Sequence, residues 1–392
     1  MGELALNGQL QPVKGVLPVA LAAAQQNQAL VLPQGNALEA SRVSALCFYA
    51  AASLVELVAW LKGQAPLPDF SVQTPVIKPQ AAAYPDLANV KGQATARRAL
   101  EVAASGGHNL LLSGPPGAGK TLLASCLPGI LPPLTETEAL EVAAIESVSQ
   151  GHDPARWGQR PFRAPHHSSS AIALVGGGSI PRPGEISRAH RGVLFLDELP
   201  EFARSVLEML REPLESGEIH LARAALQASY PARFMLVAAM NPCPCGQLGS
   251  DQPPCSCSPA QRHRYRAKLS APFLDRIDLQ LQVPALPPQS LWDEPVGESS
   301  QQVQQRVIAA RARQDDRQGG LNAQLSAPQV EATCALTRSQ QILLSRAIER
   351  LNLSARGVYR TLKVALTLQD LAATPQMQDA FLLEALSYRR RL

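Results

Sequence analysis

The sequence predicts an α/β protein built on a mostly parallel sheet, and three observations lead to that fold class. Four short apolar runs, typical of buried strands, alternate with helical patterns through the middle of the chain, at 110–112, 193–196, 234–239 and 277–283. A glycine-rich loop directly follows the first run and precedes a helical pattern. Beyond residue 285 the pattern is helical alone. Strands that alternate with helices imply a parallel sheet, and the helical remainder implies a separate C-terminal domain.

Length and composition bound the class of protein. The 392 residues allow two to three domains of about 150 residues. A hydrophobic fraction of 46% with 17% charged residues excludes a disordered polymer, and the net charge of +4 neither demands nor excludes nucleic acid. The longest apolar run, 43–55, is shorter than the roughly 20 residues that span a bilayer, and no signal-peptide pattern opens the chain. We therefore expect a cytoplasmic protein without a membrane partner.

Composition also predicts the domain organisation. The expected parts are an Ala-rich α/β piece at 1–64, a Pro-rich linker at 65–85, an α/β core at 86–285 and a helical domain at 286–392. Helical patterns occur at 19–26, 53–61, 301–314, 338–351, 355–372 and 376–388, and strand-like runs of the first part at 3–6 and 29–32. The three arginines at 389–391 are expected to form a frayed tail.

The glycine-rich loop has the sequence of a phosphate-binding P-loop. It follows an apolar run and opens a helix, as the motif G-x-x-x-x-G-K-[ST] requires. Backbone N–H groups at a helix N-terminus would surround a β-phosphate, the lysine would neutralise phosphate oxygens, and the threonine hydroxyl would bind Mg²⁺. The residues are Gly114, Pro115, Pro116, Gly117, Ala118, Gly119, Lys120 and Thr121.

Two adjacent carboxylates form the second half of this site. The apolar run 193–196 predicts a buried strand that ends in Asp197 and Glu198. Phosphoryl transfer to water needs one acid in the metal shell and a second that orients and deprotonates the water. We assign the first role to Asp197 and the second to Glu198.

The P-loop and this acidic pair resemble the AAA+ ATPases, and the resemblance extends along the chain. It implies ATP and Mg²⁺ as cofactors and a homo-oligomeric ring. In that family a polar sensor residue, which touches the γ-phosphate or the attacking water, follows a third buried strand. Asn241 stands at that position.

Two arginines match further elements of the family. Arg276, in Phe-Leu-Asp-Arg-Ile-Asp, resembles the arginine finger that reaches the nucleotide of a neighbouring subunit. The alternative is a surface ion pair with Asp275 or Asp278. Arg356 best matches the second sensor arginine, which covers the phosphates from the helical lid. The family usually has another arginine where this chain has Leu366. The alternative is that this second arginine is the family's lid sensor, in which case its absence would weaken the coupling between nucleotide and lid.

Several stretches resemble one branch, the magnesium-chelatase-like AAA+ proteins of the ComM/YifB type. They are Arg-Ala-Pro-His-His-Ser at 163–168, Gly-Gly-Gly at 176–178, Pro-Gly-Glu-Ile-Ser at 183–187, Leu-Pro-Glu-Phe at 199–202 and Asn-Pro-Cys-Pro-Cys-Gly at 241–246. The resemblance implies a hexameric helicase that drives DNA branch migration in recombination during natural transformation. Its expected partner is single-stranded or branched DNA. The alternative is a chelatase-like ATPase subunit that remodels a partner protein and does not act on DNA.

The N-terminal piece, 1–64, resembles the second half of a Lon-protease-like domain without the catalytic dyad. Where that family carries its dyad lysine this chain has Val16-Leu17-Pro18, and Lys14 stands three positions early. The region of the serine nucleophile would precede residue 1. The resemblance therefore gives no support to proteolysis, and it raises two explanations, a fragment of a longer protein or a misassigned start site.

Four of the seven cysteines form two Cys-x-Cys pairs separated by nine residues: Cys243, Cys245, Cys255 and Cys257. Seven cysteines in a chain of this length are too few for a disulfide scaffold. Four thiolates in one loop would satisfy tetrahedral zinc, whereas the alternative is four reduced thiols in a flexible loop.

A basic stretch follows the cysteines. Residues 261–268 contain four cations, one tyrosine and no acid. Such a stretch can neutralise phosphates while Tyr265 stacks on a base, and the alternative is a solvated helical face. The candidate DNA contacts are Arg262, Arg264, Arg266 and Lys268.

Overall fold

The computed structural model describes residues 1–44, 46–68, 84–149, 151, 153–178, 181–223, 226–249, 254–285 and 297–389. Most of the predicted linker at 65–85 lies outside the described residues, as do the last two arginines of the predicted tail. Within the described ranges, every helix is too short or too polar to span a bilayer.

Thirteen strands and seventeen α-helices make up the described chain. The strands are β1 Glu3–Leu4, β2 Leu10–Gln11, β3 Leu30–Pro33, β4 Phe48–Ala51, β5 Leu110–Ser113, β6 Phe162–Arg163, β7 Gly176–Gly177, β8 Arg182–Pro183, β9 Val193–Leu196, β10 Glu218–Arg223, β11 Leu226–Pro231, β12 Met235–Met240 and β13 Leu279–Gln282. The helices are α1 Val16–Gln25, α2 Ala37–Ala40, α3 Leu54–Leu61, α4 Ala94–Gly106, α5 Lys120–Ile130, α6 Glu136–Ser149, α7 Ala171–Val175, α8 Glu185–Arg188, α9 Arg204–Met209, α10 Pro213–Ser216, α11 Pro259–Arg266, α12 Ala271–Leu274, α13 Ser300–Gln318, α14 Ala327–Thr333, α15 Arg338–Leu351, α16 Ala355–Leu371 and α17 Asp379–Ser387.

A five-stranded parallel sheet forms the centre of the molecule, in the order β13-β5-β12-β9-β6. All residues of β5, β9 and β12 are buried, as expected for parallel strands that are covered on both faces. The four apolar runs correspond to β5, β9, β12 and β13. The prediction of an α/β fold with a parallel sheet and a helical C-terminal region is confirmed.

The sequence pattern did not reveal several short elements. The edge strand β6 has only two residues, too few for a periodic pattern. The hairpin β10–β11 pairs with itself and not with the central sheet. Its first strand, Glu-Ile-His-Leu-Ala-Arg, alternates polar and apolar residues, which is the signal that would have found it. β4, α14 and the short helices of the core were also not predicted.

The C-terminal helices share one hydrophobic core with the sheet. Helices α13 and α16 pack on α4, and α13 also contacts α5. One apolar cluster joins Leu110 and Leu112 of the sheet to Val303, Leu362 and Leu382 of the helical region. The four predicted helices of this region are α13, α15, α16 and α17. Because they lack a separate core, we expect this region to hold a fixed position on α4.

A buried polar network crosses the same junction. Asp278 is 2% exposed and accepts hydrogen bonds from the Asn109 backbone N–H (3.0 Å) and from Nη1 of Arg360 on α16 (2.6 Å). Burial would raise the pKa of Asp278, but the Arg360 guanidinium and the neighbouring His108 hold that pKa well below its ordinary value. Arg389, expected in a frayed tail, is instead buried and donates to the Ile277 carbonyl (3.0 Å).

The N-terminal residues form a small α/β unit that packs on the core. β1 pairs with β2 antiparallel, and β3 with β4 parallel. Helix α1 contacts α6, and the apolar cluster of this unit includes Ala143 of α6. The Arg42 guanidinium lies 4.5 Å from the centre of the Trp157 ring. The expected strands and helices are present, with α1 beginning at Val16 and β1 ending at Leu4.

The substitution Asp278→Asn should destabilise the protein, because it leaves the Arg360 charge without its carboxylate in a buried site. We expect the free energy of unfolding to fall by about 3–5 kcal/mol, seen as a lower midpoint of urea denaturation. As a control, Glu201→Gln removes an ion pair with Lys268 in which both side chains are 45% exposed, and should cost at most about 1 kcal/mol.

The stability difference between wild type and Asp278→Asn should depend on pH in a defined way. A carboxylate with a depressed pKa contributes stability above its unfolded pKa, ordinarily 3.8, and loses it as the pH falls further. The difference between wild type and Asp278→Asn should therefore be constant from pH 8 down to about 5 and shrink in stronger acid. If the two proteins differ by less than about 1 kcal/mol in unfolding free energy at pH 7, the role assigned to the Asp278–Arg360 pair is wrong.

Candidate functional site

Lys120 is held inside the P-loop by three hydrogen bonds. Its side chain is buried, and Nζ donates to the carbonyl oxygens of Gly114 (2.6 Å) and Pro115 (2.8 Å) and to Oδ1 of Asn241 (3.2 Å). An ammonium group has three donors, so all three are used. Burial lowers the pKa of Lys120, and the Asp197 carboxylate acts in the opposite direction. The lysine is thus fixed at the point where helix α5 begins.

Glycine is required at three points of this loop. Gly117 (φ 77°) and Gly119 (φ 83°) have left-handed backbone conformations that other residues rarely adopt. A Cβ on Gly114 would lie 2.1 Å from the carbonyl oxygen of Val283, just beyond β13. Of the other loop residues, Ala118 is buried, Pro115 is partly buried and Pro116 is exposed. The turn directs the first N–H groups of α5 towards the space beside Lys120, where a phosphate can bind.

The two carboxylates lie at the same edge of the sheet. Oδ2 of Asp197 accepts a hydrogen bond from the Thr121 hydroxyl (2.9 Å), and Oδ1 accepts one from the Glu198 backbone N–H (2.9 Å). Glu198 has a positive φ of 51°, which is unusual for a residue with a side chain and is found at functional sites. A hydroxyl and a carboxylate oxygen are the hard ligands that Mg²⁺ prefers, so this pair fits a magnesium ion.

His167 belongs to the family-like stretch 163–168, and the structure places its side chain beside Glu198. Its Nδ1 lies 3.1 Å from Oε2 of Glu198, and its ring stacks on His166 with centroids 4.1 Å apart. A cavity of about 300 Å³ opens between these histidines, Thr121 and the two carboxylates. The histidine pair follows β6, whose shortness hid its place at the carboxyl edge of the sheet.

Arg276 and Arg356 meet at one carboxylate, that of Glu215. Arg276 is 4% exposed, and its Nη2 lies 2.6 Å from Oε1 of Glu215. Arg356 is exposed, with Nη1 3.6 Å from the same oxygen. Among the described residues neither arginine lines the cavity at Thr121. In place of the surface pair with Asp275 or Asp278, the buried Arg276 pairs with Glu215, whose side chain is 47% exposed.

Leu366, which stands where the family usually has an arginine, is 1% exposed and belongs to the shared hydrophobic core. This position of α16 therefore offers no cation to a phosphate. Arg356, near the start of the same helix, is exposed and available.

The four cysteine thiols converge. Sγ of Cys243 lies 3.4 Å from that of Cys245 and 3.6 Å from that of Cys255, and all four sulfur atoms, with Cys257, lie within 4.8 Å of one another. Zinc–sulfur bonds of about 2.3 Å in a tetrahedron need sulfur atoms about 3.8 Å apart, so this set fits zinc. A hydrogen bond from the Gln247 backbone lowers the pKa of Cys245 to about 5. At Cys255 and Cys257 a backbone hydrogen bond lowers the pKa, but burial and the neighbouring thiols together outweigh it and raise the pKa, that of Cys257 to about 11.

The cysteine loop also touches the nucleotide site. Gly246 has a φ of 79°, and a Cβ on it would lie 2.7 Å from Cδ of Pro116 in the P-loop. Asn241, which accepts the Lys120 bond, comes two residues before Cys243. The N-terminal part of the loop therefore continues β12 and also packs against the P-loop.

The basic stretch forms helix α11, which begins with a capping box between Ser258 and Gln261. Tyr265 is 7% exposed and packs in the hydrophobic core, and burial raises its pKa to about 12. The prediction that Tyr265 stacks on a base is therefore wrong. Lys268 pairs with Glu201 at 3.1 Å. The remaining cations of the helix are exposed or partly buried: Arg262, Arg264 and Arg266.

Comparisons with known proteins agree with this geometry. Residues 86–291 match the family model described as magnesium chelatase, subunit ChlI, and residues 297–389 match the model of its C-terminal part. Residues 1–36 match a third model, subunit ChlI of Mg-chelatase. Together these matches extend through the sheet, the P-loop and the helical region.

Similar proteins cover nearly the whole chain. Competence protein ComM of Haemophilus influenzae is 48% identical over 99% of this chain and 77% of its own length. The uncharacterized YifB proteins of Salmonella typhimurium and Escherichia coli are 48% and 46% identical over 99% of this chain and 76% of theirs. The chain belongs to the magnesium-chelatase-like family of AAA+ ATPases that includes ComM and YifB.

Proposed function

We propose that this protein is a Mg²⁺-dependent ATPase motor that assembles as a hexameric ring and drives branch migration of DNA in recombination during natural transformation. The observation that carries the proposal is the meeting of Lys120, Thr121, Asp197 and Glu198 at the carboxyl edge of one parallel sheet. The name of the similar competence protein supports the biological setting.

The P-loop side of the site would bind the nucleotide. The Lys120 ammonium now donates to neutral carbonyl and amide oxygens, and phosphate oxygens are better acceptors for a cation. Thr121 and Asp197 would hold Mg²⁺ through the two oxygens that now share a hydrogen bond. MgATP supplies the phosphoryl group and the leaving group of the reaction.

Glu198 would orient the attacking water and accept its proton. The side chain lines the cavity and is 54% exposed, and its one ionic partner among the described residues is His167. Asn241 would sense the phosphate or the water, because its side chain already accepts a hydrogen bond from the Lys120 ammonium. Each of these groups acts within the chain that binds the nucleotide.

Arg276 and Arg356 would act on the nucleotide of the next subunit. Both arginines contact the Glu215 carboxylate. A neighbouring subunit that draws one arginine away from Glu215 would therefore also change the contact of the other. Arg276 must leave a buried contact to reach a phosphate, and a developing charge on the neighbouring nucleotide would compete with Glu215 for it. Hydrolysis would then depend on assembly.

The cysteine loop and helix α11 would connect the motor to DNA. We propose that Cys243, Cys245, Cys255 and Cys257 bind one zinc ion with a structural role, since four thiolates leave no open position for catalysis. Arg262, Arg264 and Arg266 would neutralise DNA phosphates. The alternative function is that of a chelatase-like subunit that remodels a protein. Its support is that the matching family models describe a magnesium chelatase subunit.

DNA should stimulate ATP hydrolysis, and the stimulation should fall steeply with salt. Replacing Arg262, Arg264 and Arg266 by glutamine should reduce the logarithmic salt slope of single-stranded DNA binding by about 2, because each neutralised phosphate accounts for about 0.7 of that slope. The matched control replaces three exposed arginines of α15, Arg338, Arg346 and Arg350, and should leave the slope unchanged. Stimulation by a von Willebrand-type partner subunit and not by DNA would favour the chelatase-like function.

Two inactive variants should restore activity when mixed. Glu198→Gln removes the base and should lower kcat by roughly 10²–10⁴-fold, and Arg276→Ala should lower it by about 10³-fold or more. In mixed rings, an intact site on an Arg276→Ala subunit can meet an intact arginine on a Glu198→Gln subunit, and turnover should return. If Arg276 acted within its own chain, mixing would restore nothing.

The purified protein should contain one zinc ion per chain, measured by atomic emission. Cys257→Ser should lose the ion and also weaken nucleotide binding, because the loop that packs Gly246 on Pro116 is released. Cys334→Ser is the control, since Cys334 is a buried free thiol of the helical region. Protein purified without chelators that contains no zinc would contradict the assignment.

A further inference from the structure

A second, larger cavity lies at the opposite edge of the sheet from the P-loop. Its volume is about 590 Å³, within the roughly 300–1,000 Å³ of small-ligand sites. Asn109, Gly192 and Met235 line it, and these residues precede or begin β5, β9 and β12. The far wall comes from helices α13 and α16. We call it the amino-edge cleft. The four residues of β5 separate it from the P-loop by about 13 Å.

The cleft carries an excess of positive charge. Six cationic side chains and three carboxylates line it: Arg160, Arg191, Arg233, Arg311, Arg360 and Lys363, with Glu138, Glu215 and Asp278. Each carboxylate already has a cationic partner, which for Glu138 and Asp278 is an arginine of the cleft itself. Glu138 contacts Arg160 and Arg191, Asp278 contacts Arg360, and Glu215 contacts the two arginines described above.

Three cations of the cleft have no acidic partner among the described residues, since no carboxylate lies within 4.0 Å of them. Nε and Nη2 of Arg311 both donate to one carbonyl oxygen, that of Ala104, at 2.8 and 2.6 Å. Nζ of Lys363 donates to the Ala323 carbonyl at 3.0 Å. Arg233 is exposed at the rim.

At Arg311 and Lys363 the effect of burial on the pKa is larger than the opposite effect of the more distant carboxylates Glu138 and Asp278. Burial lowers the pKa of Arg311 to about 9 and lowers the pKa of Lys363. A guanidinium has five N–H donors, and Arg311 uses two of them on a neutral oxygen. An anion in the cleft would supply both the missing acceptors and the missing charge.

We infer that the amino-edge cleft binds a small polyphosphate anion, of the class of pyrophosphate, tripolyphosphate or the triphosphate of a nucleotide. Among the described residues, the lining has three more cations than carboxylates, and such an excess favours an anion that carries several negative charges. Tetrahedral phosphate oxygens can bridge Arg311 of α13, Lys363 of α16 and Arg233 of the core. A DNA strand fits less well, because the cleft lies between the sheet edge and the helices and its wall includes carboxylates. Anion binding in this cleft does not depend on the proposed function.

The anion would join the helical region to the core. Arg311 and Lys363 come from the two helices that pack on α4, and Arg233 lies just before β12. A ligand that contacts all three stabilises the folded arrangement and should raise the melting temperature in a saturable way.

The test uses the full chain with Lys120→Ala, which removes the main phosphate contact of the P-loop. Sodium tripolyphosphate should raise the melting temperature by about 4 °C when present at about a hundredfold excess over its dissociation constant. Sodium sulfate at the same ionic strength should not reproduce this shift. In the same background, Arg311→Met with Lys363→Met should abolish the shift, and the matched pair Arg338→Met with Arg346→Met on exposed α15 should retain it.

Several results would overturn the inference. One is the absence of a saturable shift with tripolyphosphate, and another is a shift that the Arg311 and Lys363 substitutions leave intact. If tripolyphosphate gives no shift but single-stranded DNA gives one that Arg311→Met with Lys363→Met abolishes, the cleft is a DNA groove and the inference is wrong. If the double variant does not fold, Arg233→Met at the exposed rim should weaken binding several-fold, measured by phosphorus NMR line broadening of tripolyphosphate. No broadening with the Lys120→Ala protein would also refute the inference.

Discussion

The register of three parallel strands is the constraint on which the site depends. Ser113 of β5 pairs with Met240 of β12, and Ala238 of β12 pairs with Leu196 of β9. The next residues along the chain are Gly114 of the P-loop, Asn241 and Asp197. A slip of one residue would turn the side chains of a strand to the opposite face of the sheet and separate Lys120 from Asn241. Burial on both faces fixes the register against such a slip.

Hydrogen bonds and an ion pair connect the helical region to the segment that contains Arg276. Arg360 of α16 donates to the Arg276 carbonyl (3.1 Å) and to Asp278 (2.6 Å), and the same helix carries Arg356. The lid helix is therefore tied to the segment that would serve the neighbouring subunit's nucleotide. A ligand in the amino-edge cleft would act on the same junction, through Lys363 of this helix.

The cysteine loop gives the P-loop a second support. Ordinary P-loops are held by their own glycines and by the following helix, whereas here Gly246 also packs on Pro116. A metal that orders four thiols would thereby order part of the phosphate site. Helix α11 follows the last cysteine directly. The proposed zinc site therefore lies between the proposed DNA contacts of α11 and the phosphate site.

Local pattern determined much of this protein. The P-loop, the acidic pair, the buried strands of the sheet and the long C-terminal helices follow from spacing and periodicity within short windows. The tertiary structure alone decided the contacts between distant residues: Thr121 with Asp197, 76 positions apart, Arg276 with Glu215, 61 positions apart, and Lys120 with Asn241, 121 positions apart. It also buried Tyr265 and Arg389, which composition placed at the surface. The physical reason is that periodicity reports which face of an element is apolar, while partners across the fold are selected by how the elements pack.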